Sequence, residues 1–362
     1  MWRPLLDGAE AAAARAMVHR IAEAIAADPP ATAELGNGAA GAAVLFAYLA
    51  RDDARWRPTC EQLLERAEDQ LATLDTPSLF HGFCGLGWAG DHIRGVLGEP
   101  DLEVNSELDA ALESIIPVTN VSFDLIGGLV GIGVYAHQRG AARCVELVVD
   151  RLHDAARDRF WLRPEQLPQA EHARWPTGRW DLGLAHGTPG VIAWLARLAE
   201  PRARALCESA IEWLLAHRRS ITESGEVAFP AFAAPGVPAG SARSGWCYGD
   251  AAIALALARA GRTELALELA RHAMRRPREH TGVEEGTFCH GAAGLAQIYG
   301  RLHAITGDGE LAGAARYWLA ETLRLEHGAA QGMLGGAAGV ALVLHAATSG
   351  HAPDWDRAFL LA

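Results

Sequence analysis

Two cysteines and a histidine are the clearest candidates for chemistry in this sequence. Cys247 lies in SGWCYGD, and Cys289 is followed directly by His290 in FCHGAAG. Thiolate and imidazole ligands together favour Zn²⁺. Three protein ligands leave a fourth tetrahedral position for water or substrate, which is typical of a catalytic zinc site. A structural zinc that staples two parts of the fold together is the alternative interpretation.

Four further side chains are candidates for the same site. His186 lies in LAHGTPG and Asp124 in SFDLIGGLVG, and the two could supply acid and base chemistry. Arg243 lies four residues before Cys247, and Tyr248 follows that cysteine directly. Three of them also have a simpler interpretation, with Asp124 as a helix N-cap, Arg243 as a surface charge and Tyr248 as a packing residue.

A short glycine motif, G-x-x-G, recurs seven times and positions these residues. Its first glycines are 42 to 62 residues apart, and they are Gly38, Gly82, Gly128, Gly187, Gly249, Gly291 and Gly336. The position two residues before the first glycine is Cys247 in the fifth copy and Cys289 in the sixth, and His290 is one residue closer. Asp124 and His186 lie in the third and fourth copies. Because equivalent positions in adjacent repeats are neighbours in space, all five side chains are predicted to meet.

Each copy of the motif begins a pair of predicted helices. An apolar segment such as GVIAWLARLAE predicts a buried helix, and an amphipathic segment such as ARALCESAIEWLLAHR predicts an outer one. A helix near residues 9–27 has no motif before it, and only a short tail follows the last motif, so this helix can pack outside the seventh inner helix. The pattern predicts an all-α fold, an (α/α)7 toroid of seven inner and seven outer helices with the motif loops at one end.

Composition restricts the possible classes of function. The 362 residues are 50% hydrophobic and 21% charged, and we expect residues 1–362 to form a single globular domain. A net charge of −12 argues against nucleic-acid binding. The sequence shows neither a membrane-spanning nor a signal segment, so a cytoplasmic protein is expected. The six cysteines are too dispersed for a disulfide framework, and His81 and Cys84 are interpreted as packing residues.

With these motifs in this order, the sequence resembles the lanthipeptide cyclases, the LanC-like family. GWCYG, FCHGAAG and LAHGTPG carry the resemblance, on a chain of seven glycine-rich helical repeats. The resemblance covers essentially the whole chain. It implies a helical toroid that binds one Zn²⁺, with Cys247, Cys289 and His290 as the ligands.

The same resemblance implies a substrate and a reaction. The substrate is a precursor peptide that already carries dehydroalanine or dehydrobutyrine. Zinc activates a cysteine thiol of this peptide, and the thiolate adds to the dehydroamino acid to form a thioether ring. His186 and Asp124 match the acid and base positions of the family, and Arg243 and Tyr248 match its active-site arginine and tyrosine. No kinase or lyase region precedes the toroid, so we expect the dehydratase to be a separate protein. Because a closed ring leaves no terminal repeat that needs a partner, we expect a monomer that associates with the dehydratase transiently.

Two features depart from the repeat. Ala252 replaces the second glycine of the fifth copy, and it is expected to alter helix packing more than zinc binding. Insertions at about residues 160–183 and 220–242 lead into the motif loops of copies four and five. These insertions are expected to surround the site and to decide which peptides bind.

Three other functions would use a similar site. Glutathione could be the thiol, adding to dehydroamino acids in damaged proteins. A non-catalytic toroid stapled by zinc could be a scaffold in a peptide-modifying complex, which would leave His186 and Asp124 unexplained. Zinc toroids that transfer prenyl groups also activate a substrate thiol, although CYG and CHG fit them poorly.

Overall fold

Outer and inner helices alternate along the chain. The computed structural model describes residues 2–101, 103–220, 226–238 and 240–362, and all elements below belong to those residues. The outer helices are α1 (Gly8–Ala27), α3 (Arg57–Glu68), α5 (Ser106–Ile115), α7 (Ala142–Arg157), α9 (Pro201–Leu215), α11 (Thr263–Met274) and α13 (Gly309–Arg324). They are amphipathic, as in α7, where Cys144, Val148, Val149 and Leu152 are buried between exposed charged residues.

The inner helices each begin one residue after the first glycine of a motif copy. They are α2 (Ala39–Asp52), α4 (Phe83–Leu97), α6 (Leu129–Arg139), α8 (Thr188–Leu195), α10 (Asp250–Arg259), α12 (Ala292–Thr306) and α14 (Ala337–Thr348). They are apolar on nearly all sides, and in α8 every residue is buried. Within the described residues, no helix is both long and apolar enough to cross a lipid bilayer.

The inner helices form a closed ring. Each packs against the next inner helix along the chain, and α14 packs against α2, which joins the last helix to the first. Helix α1 packs against α14, so the N-terminal helix is the outer partner of the seventh inner helix. The predicted (α/α)7 toroid is therefore confirmed.

Backbone hydrogen bonds join the seven motif loops into a second ring, which we call the loop ring. Its members are the residues two before each first glycine: Gly36, Phe80, Ile126, Ala185, Cys247, Cys289 and Leu334. Each accepts a bond from the preceding loop through its carbonyl, at donor–acceptor distances of 2.7 to 3.4 Å. The donor is the equivalent N–H, except in the third loop, where Leu125 donates. The bond from Leu334 to Gly36 closes the ring at 2.8 Å.

The second glycine of the motif lies where a side chain does not fit. A Cβ at Gly85 would lie 1.8 Å from the carbonyl oxygen of Leu79, six residues earlier, and the equivalent carbonyl would block a Cβ at the other second glycines. In the fifth copy, the buried Ala252 has this position. There Gly249 has φ of 109°, whereas the other first glycines have φ between −105° and −133°. A change of loop conformation thus accompanies the alanine.

The C-terminal segment fills the centre of the ring. A 3₁₀-helix at Asp354–Phe359 places the Phe359 ring 5.2 Å from that of Phe80, 5.1 Å from Trp246 and 4.1 Å from Phe288, measured between centroids. The Trp246 indole also donates to the Phe359 carbonyl oxygen at 3.0 Å. Sequence reasoning predicted only a short tail here, because the segment lacks helical periodicity. It supports the loops of copies two, five and six from inside.

The two insertions contact each other. Strand β1 (Trp180–Asp181) belongs to the first insertion and pairs antiparallel with β2 (Phe232–Ala233) of the second, with Asp181 opposite Phe232. A further backbone bond joins Leu182 N to Ala231 O at 3.0 Å. Of the second insertion, residues 221–225 and 239 lie outside the described residues. The small sheet fixes the first insertion against the described part of the second.

Gly85→Ala tests the close approach at the second glycine. Because a Cβ would meet the Leu79 carbonyl, we expect the free energy of unfolding to fall by about 2 kcal/mol or more. The midpoint of urea unfolding, followed by circular dichroism, measures the loss. Gly313→Ala is the matched control, since no atom lies within 4 Å of its Cβ position in α13 and the change should be neutral or stabilising. Equal losses in the two variants would contradict this explanation.

Candidate metal centre and active site

Cys247, Cys289 and His290 meet at the loop end of the toroid. One possible ligand atom from each lies within 4.8 Å of the others, and no other group of three or more His, Cys, Asp or Glu residues among the described residues meets that criterion. The loop-ring bond from Cys247 N to Cys289 O, 3.1 Å long, holds the two cysteines side by side. Cys247 is buried, whereas 41% of the His290 side chain is exposed, so the cluster is accessible from one side.

The cluster stabilises a thiolate. Hydrogen bonds from Cys289 and His290, together with the charges of His290 and Arg243, outweigh burial, which opposes ionisation, and lower the pKa of the Cys247 thiol well below its ordinary value. The Cys247 thiolate in turn raises the pKa of Cys289 and that of His290. Since the thiolate is the form of cysteine that binds metals, the polar surroundings favour a metal centre at this position.

A carboxylate holds the histidine of the cluster. His290 Nε2 lies 2.9 Å from Glu285 Oε1, which also accepts a hydrogen bond from Thr287 Oγ1 at 2.6 Å. This contact leaves Nδ1 as the nitrogen available to a metal, and carboxylates commonly orient metal-binding histidines in this way. Sequence reasoning missed Glu285, because nothing in GVEEGTFCH indicates which glutamate reaches back to the ring.

His186 and Asp124 form a hydrogen-bonded pair next to the cluster. His186 Nδ1 lies 2.8 Å from Asp124 Oδ2. The other oxygen, Oδ1, accepts from Ser122 Oγ at 2.8 Å and from Gly127 N at 3.1 Å, so the carboxylate is fixed at both ends. Gly128 is the residue at the N-cap position of α6, so the N-cap interpretation of Asp124 is wrong. The loop-ring bond from Ala185 N to Cys247 O, at 3.3 Å, places His186 beside the fifth loop.

Charge keeps the His186 imidazole protonated. Partial burial opposes the charged form, but the hydrogen bond and charge of Asp124 outweigh it, and Asp181 and Cys247 add to the effect. Together they raise the pKa of His186 to about 9. At neutral pH this side chain is therefore a cationic acid, and 41% of its surface is exposed to the open side of the site.

Tyr248 connects the site to the first insertion. Its hydroxyl donates to Asp181 Oδ2 at 2.8 Å, and its ring centroid lies 6.2 Å from that of His186. Asp181 is fully buried, and burial raises its pKa to about 6. Its other partners are Gly183 N, 2.9 Å from Oδ1, and Arg179 Nη2, 3.6 Å from Oδ2. Sequence reasoning missed both Asp181 and Arg179, because they lie in an insertion outside the repeat.

Arg243 is exposed, and its positive charge acts to lower the pKa of both cluster thiols.

Cys84 is buried, as expected of a packing residue. The packing interpretation is wrong for His81, which is exposed and has Nδ1 3.4 Å from Glu34 Oε2. An exposed imidazole at this loop can pair with a carboxylate of the neighbouring loop, whereas the cysteine three residues further is buried in the core.

Comparison with known proteins agrees with the resemblance seen in the motifs. Nisin cyclase has a similar structure, with a TM-score of 0.80 at 20% sequence identity over 96% of this chain and 97% of that one. At this identity the likeness establishes the helical toroid fold. The comparison with curated proteins gave no match. The sequence itself matches the family described as lanthionine synthetase C-like protein over residues 29–360. Since this match covers nearly the whole sequence, the chain belongs to the lanthionine synthetase C-like family.

Proposed function

We propose that this protein is a lanthipeptide cyclase, which joins a cysteine of a dehydrated precursor peptide to a dehydroamino acid as a thioether. The proposal rests on one observation: the cluster of Cys247, Cys289 and His290 adjoins the pair of His186 and Asp124 on consecutive loops. A centre that can activate a thiol thus lies beside a proton donor. Membership of the lanthionine synthetase C-like family and the fold of nisin cyclase support this function.

The cluster suits a zinc ion by the chemistry of its donors. Two thiols and an imidazole are the soft and borderline ligands that zinc takes, and three of them leave a coordination position open. Cys247, Cys289 and His290 would hold the ion, and Glu285 would orient the histidine. When bound, zinc would supply a Lewis acid that lowers the pKa of a substrate thiol.

The reaction adds a thiol across a carbon–carbon double bond. The sulfur forms a bond to the β-carbon, the π bond breaks, and its electron pair becomes an enolate. The thiol proton is released, and the α-carbon then gains a proton, so neither an oxidant nor a reductant is consumed. His186 is suited to supply that proton, because Asp124 keeps its imidazole charged at neutral pH.

Tyr248 and Arg243 have different roles in this proposal. The Tyr248 hydroxyl already donates its proton to Asp181, which favours His186 over Tyr248 as the acid. Arg243 is exposed beside the thiols, where a guanidinium could stabilise the enolate oxygen electrostatically. We propose that a separate dehydratase supplies the substrate, that the two proteins associate transiently, and that the cyclase is monomeric.

Zinc content tests the ligand assignment. We expect one equivalent of zinc per chain by elemental analysis, and we expect Cys247→Ala and Cys289→Ala to lose both the zinc and the cyclisation of a dehydrated peptide. Cys207→Ala is the control, because Cys207 is buried in α9 with its thiol 3.7 Å from the Ile192 carbonyl oxygen. A Cys247→Ala protein with full zinc and full cyclisation would show the assignment to be wrong.

The same assay separates a cyclase from an enzyme that uses glutathione. A dehydrated peptide is offered together with free glutathione, and mass spectrometry distinguishes the ring, which leaves the peptide mass unchanged, from an adduct that adds the mass of glutathione. Thioether linkage is verified by loss of reactivity toward a thiol alkylating reagent. Predominant glutathione adducts would overturn the proposed function.

His186→Gln tests the proton donor. The variant should retain zinc, because His186 is outside the cluster, and kcat for cyclisation should fall by about 10² to 10⁴-fold because the acid is lost. His19→Gln on outer helix α1 is the control and should leave kcat unchanged. Unchanged kcat in the His186 variant would assign protonation to another group.

Asp124→Asn tests the cause of the raised pKa. In the parent, kcat should fall as the pH rises through about 9, where His186 loses its proton. Without the carboxylate, the pKa of His186 moves down toward the ordinary histidine value of about 6.5, so activity should disappear at a lower pH. The pH profile of kcat measures this shift, and zinc content serves as the control. An alkaline limb at the same pH in both proteins would contradict the role of Asp124.

A further inference from the structure

The two insertions enclose a pocket of about 280 Å³ that reaches Tyr248 and Arg243. We propose that this pocket binds the side chain of the substrate residue next to the reacting cysteine, that it prefers an aromatic side chain, and that it disfavours a basic one. The inference rests on the proposed function and adds a substrate preference to it.

The walls of the pocket are aromatic. Trp175 and Phe232 meet edge to face with centroids 5.8 Å apart, and Phe232 and Tyr248 do so at 5.4 Å. Val237, which is 46% exposed, adds an apolar surface on the open side. Edge-to-face packing is the arrangement that aromatic rings prefer, so a further aromatic ring could join the series.

The buried ion pair of Arg179 and Asp181 fixes these walls. The Arg179 guanidinium lies 3.7 Å from the centroid of Phe232 and 5.5 Å from that of Trp175, and it also pairs with Glu171. Its neighbour Asp181 accepts the hydrogen bond from Tyr248. All three aromatic walls are therefore held before a substrate arrives. Such preorganisation lowers the cost of ordering side chains on binding.

The charged side chains that line the pocket are both positive. Arg174 and Arg243 contribute to its lining, and no acidic side chain does so among the described residues. Arg174 is exposed, with its guanidinium 5.2 Å from the centroid of Trp175. A lysine or arginine of the substrate would bring a third cation to this place without a partner, whereas an uncharged ring or a carboxylate would not.

The position of the pocket determines which substrate residue enters it. Tyr248 is both a wall of the pocket and the residue that follows Cys247 in the chain. Arg243, also in the lining, acts electrostatically on both cluster thiols. A peptide whose cysteine reaches the cluster can therefore present an adjoining residue to the pocket.

Synthetic peptides that carry one dehydroalanine and one cysteine test the proposal. The residue next to the cysteine is Phe, Glu, Lys or Gly, placed on either side in two separate sets. In at least one set, we expect kcat/KM to be about tenfold higher with Phe than with Lys, with Glu between them.

Two variants connect this preference to the pocket. Arg174→Glu should reverse the order of the Glu and Lys peptides, because it replaces a cation of the pocket lining with an anion. Val237→Trp should lower the ratio of kcat/KM for the Phe peptide to that for the Gly peptide, because the larger side chain fills the space that the Phe ring would occupy. Arg157→Glu on α7 and Val104→Trp before α5 are matched exposed controls, at 81% and 48% exposure, and should change neither order.

The outcomes separate the pocket from the proposed function. If the parent protein cyclises no peptide of either set under conditions in which it holds zinc, the proposed function fails. If all the peptides are cyclised at equal rates, or if the preference survives both pocket variants, cyclisation stands and the pocket proposal is overturned.

Discussion

The loop ring is the constraint on which the rest of the structure depends. Seven backbone hydrogen bonds join each motif loop to the next, and six of the seven use the same residue position in both loops. The second glycines permit this, because a Cβ at Gly85, Gly41 or Gly339 would collide with a carbonyl of the same loop. Phe359 then closes the centre by packing against three of the loops. The ring uses only backbone atoms, so the side chains at its positions can vary without loss of the fold.

The chemistry of the site depends on the side chains at the ring positions, which can differ from loop to loop. Five ring positions hold residues without a metal-binding side chain, and two adjacent positions hold Cys247 and Cys289. A single backbone bond between them brings two thiols together that are far apart in the chain. The next bonds of the ring bring the fourth loop, with His186, and the third, with Asp124, into sequence beside them. The cluster and the pair of His186 and Asp124 therefore share one frame of backbone hydrogen bonds.

The same frame explains how much the sequence could predict. Glycine spacing identifies the inner helices, the closure of the ring and the meeting of Cys247, Cys289 and His290, because all of these follow from the repeat. Residues outside the repeat have no such register. Asp181 is a lone carboxylate in an insertion, Glu285 is one of two adjacent glutamates, and the C-terminal segment lacks periodicity, so their partners emerge only from the fold. His81 shows the limit within the repeat, since a shared position does not determine whether a side chain faces the core or the solvent.

The fifth loop belongs to the repeat and also departs from it. It is the copy in which the repeat fails, with Ala252 for glycine and Gly249 at a positive φ that only glycine adopts readily. It is also the copy that supplies Cys247, Tyr248 and Arg243, and it is preceded by the second insertion. The ring bonds of this loop are still made through the Cys247 N–H and C=O. From the same loop the Tyr248 hydroxyl donates to Asp181, and this contact links the cluster of Cys247, Cys289 and His290 to the walls of the neighbouring pocket.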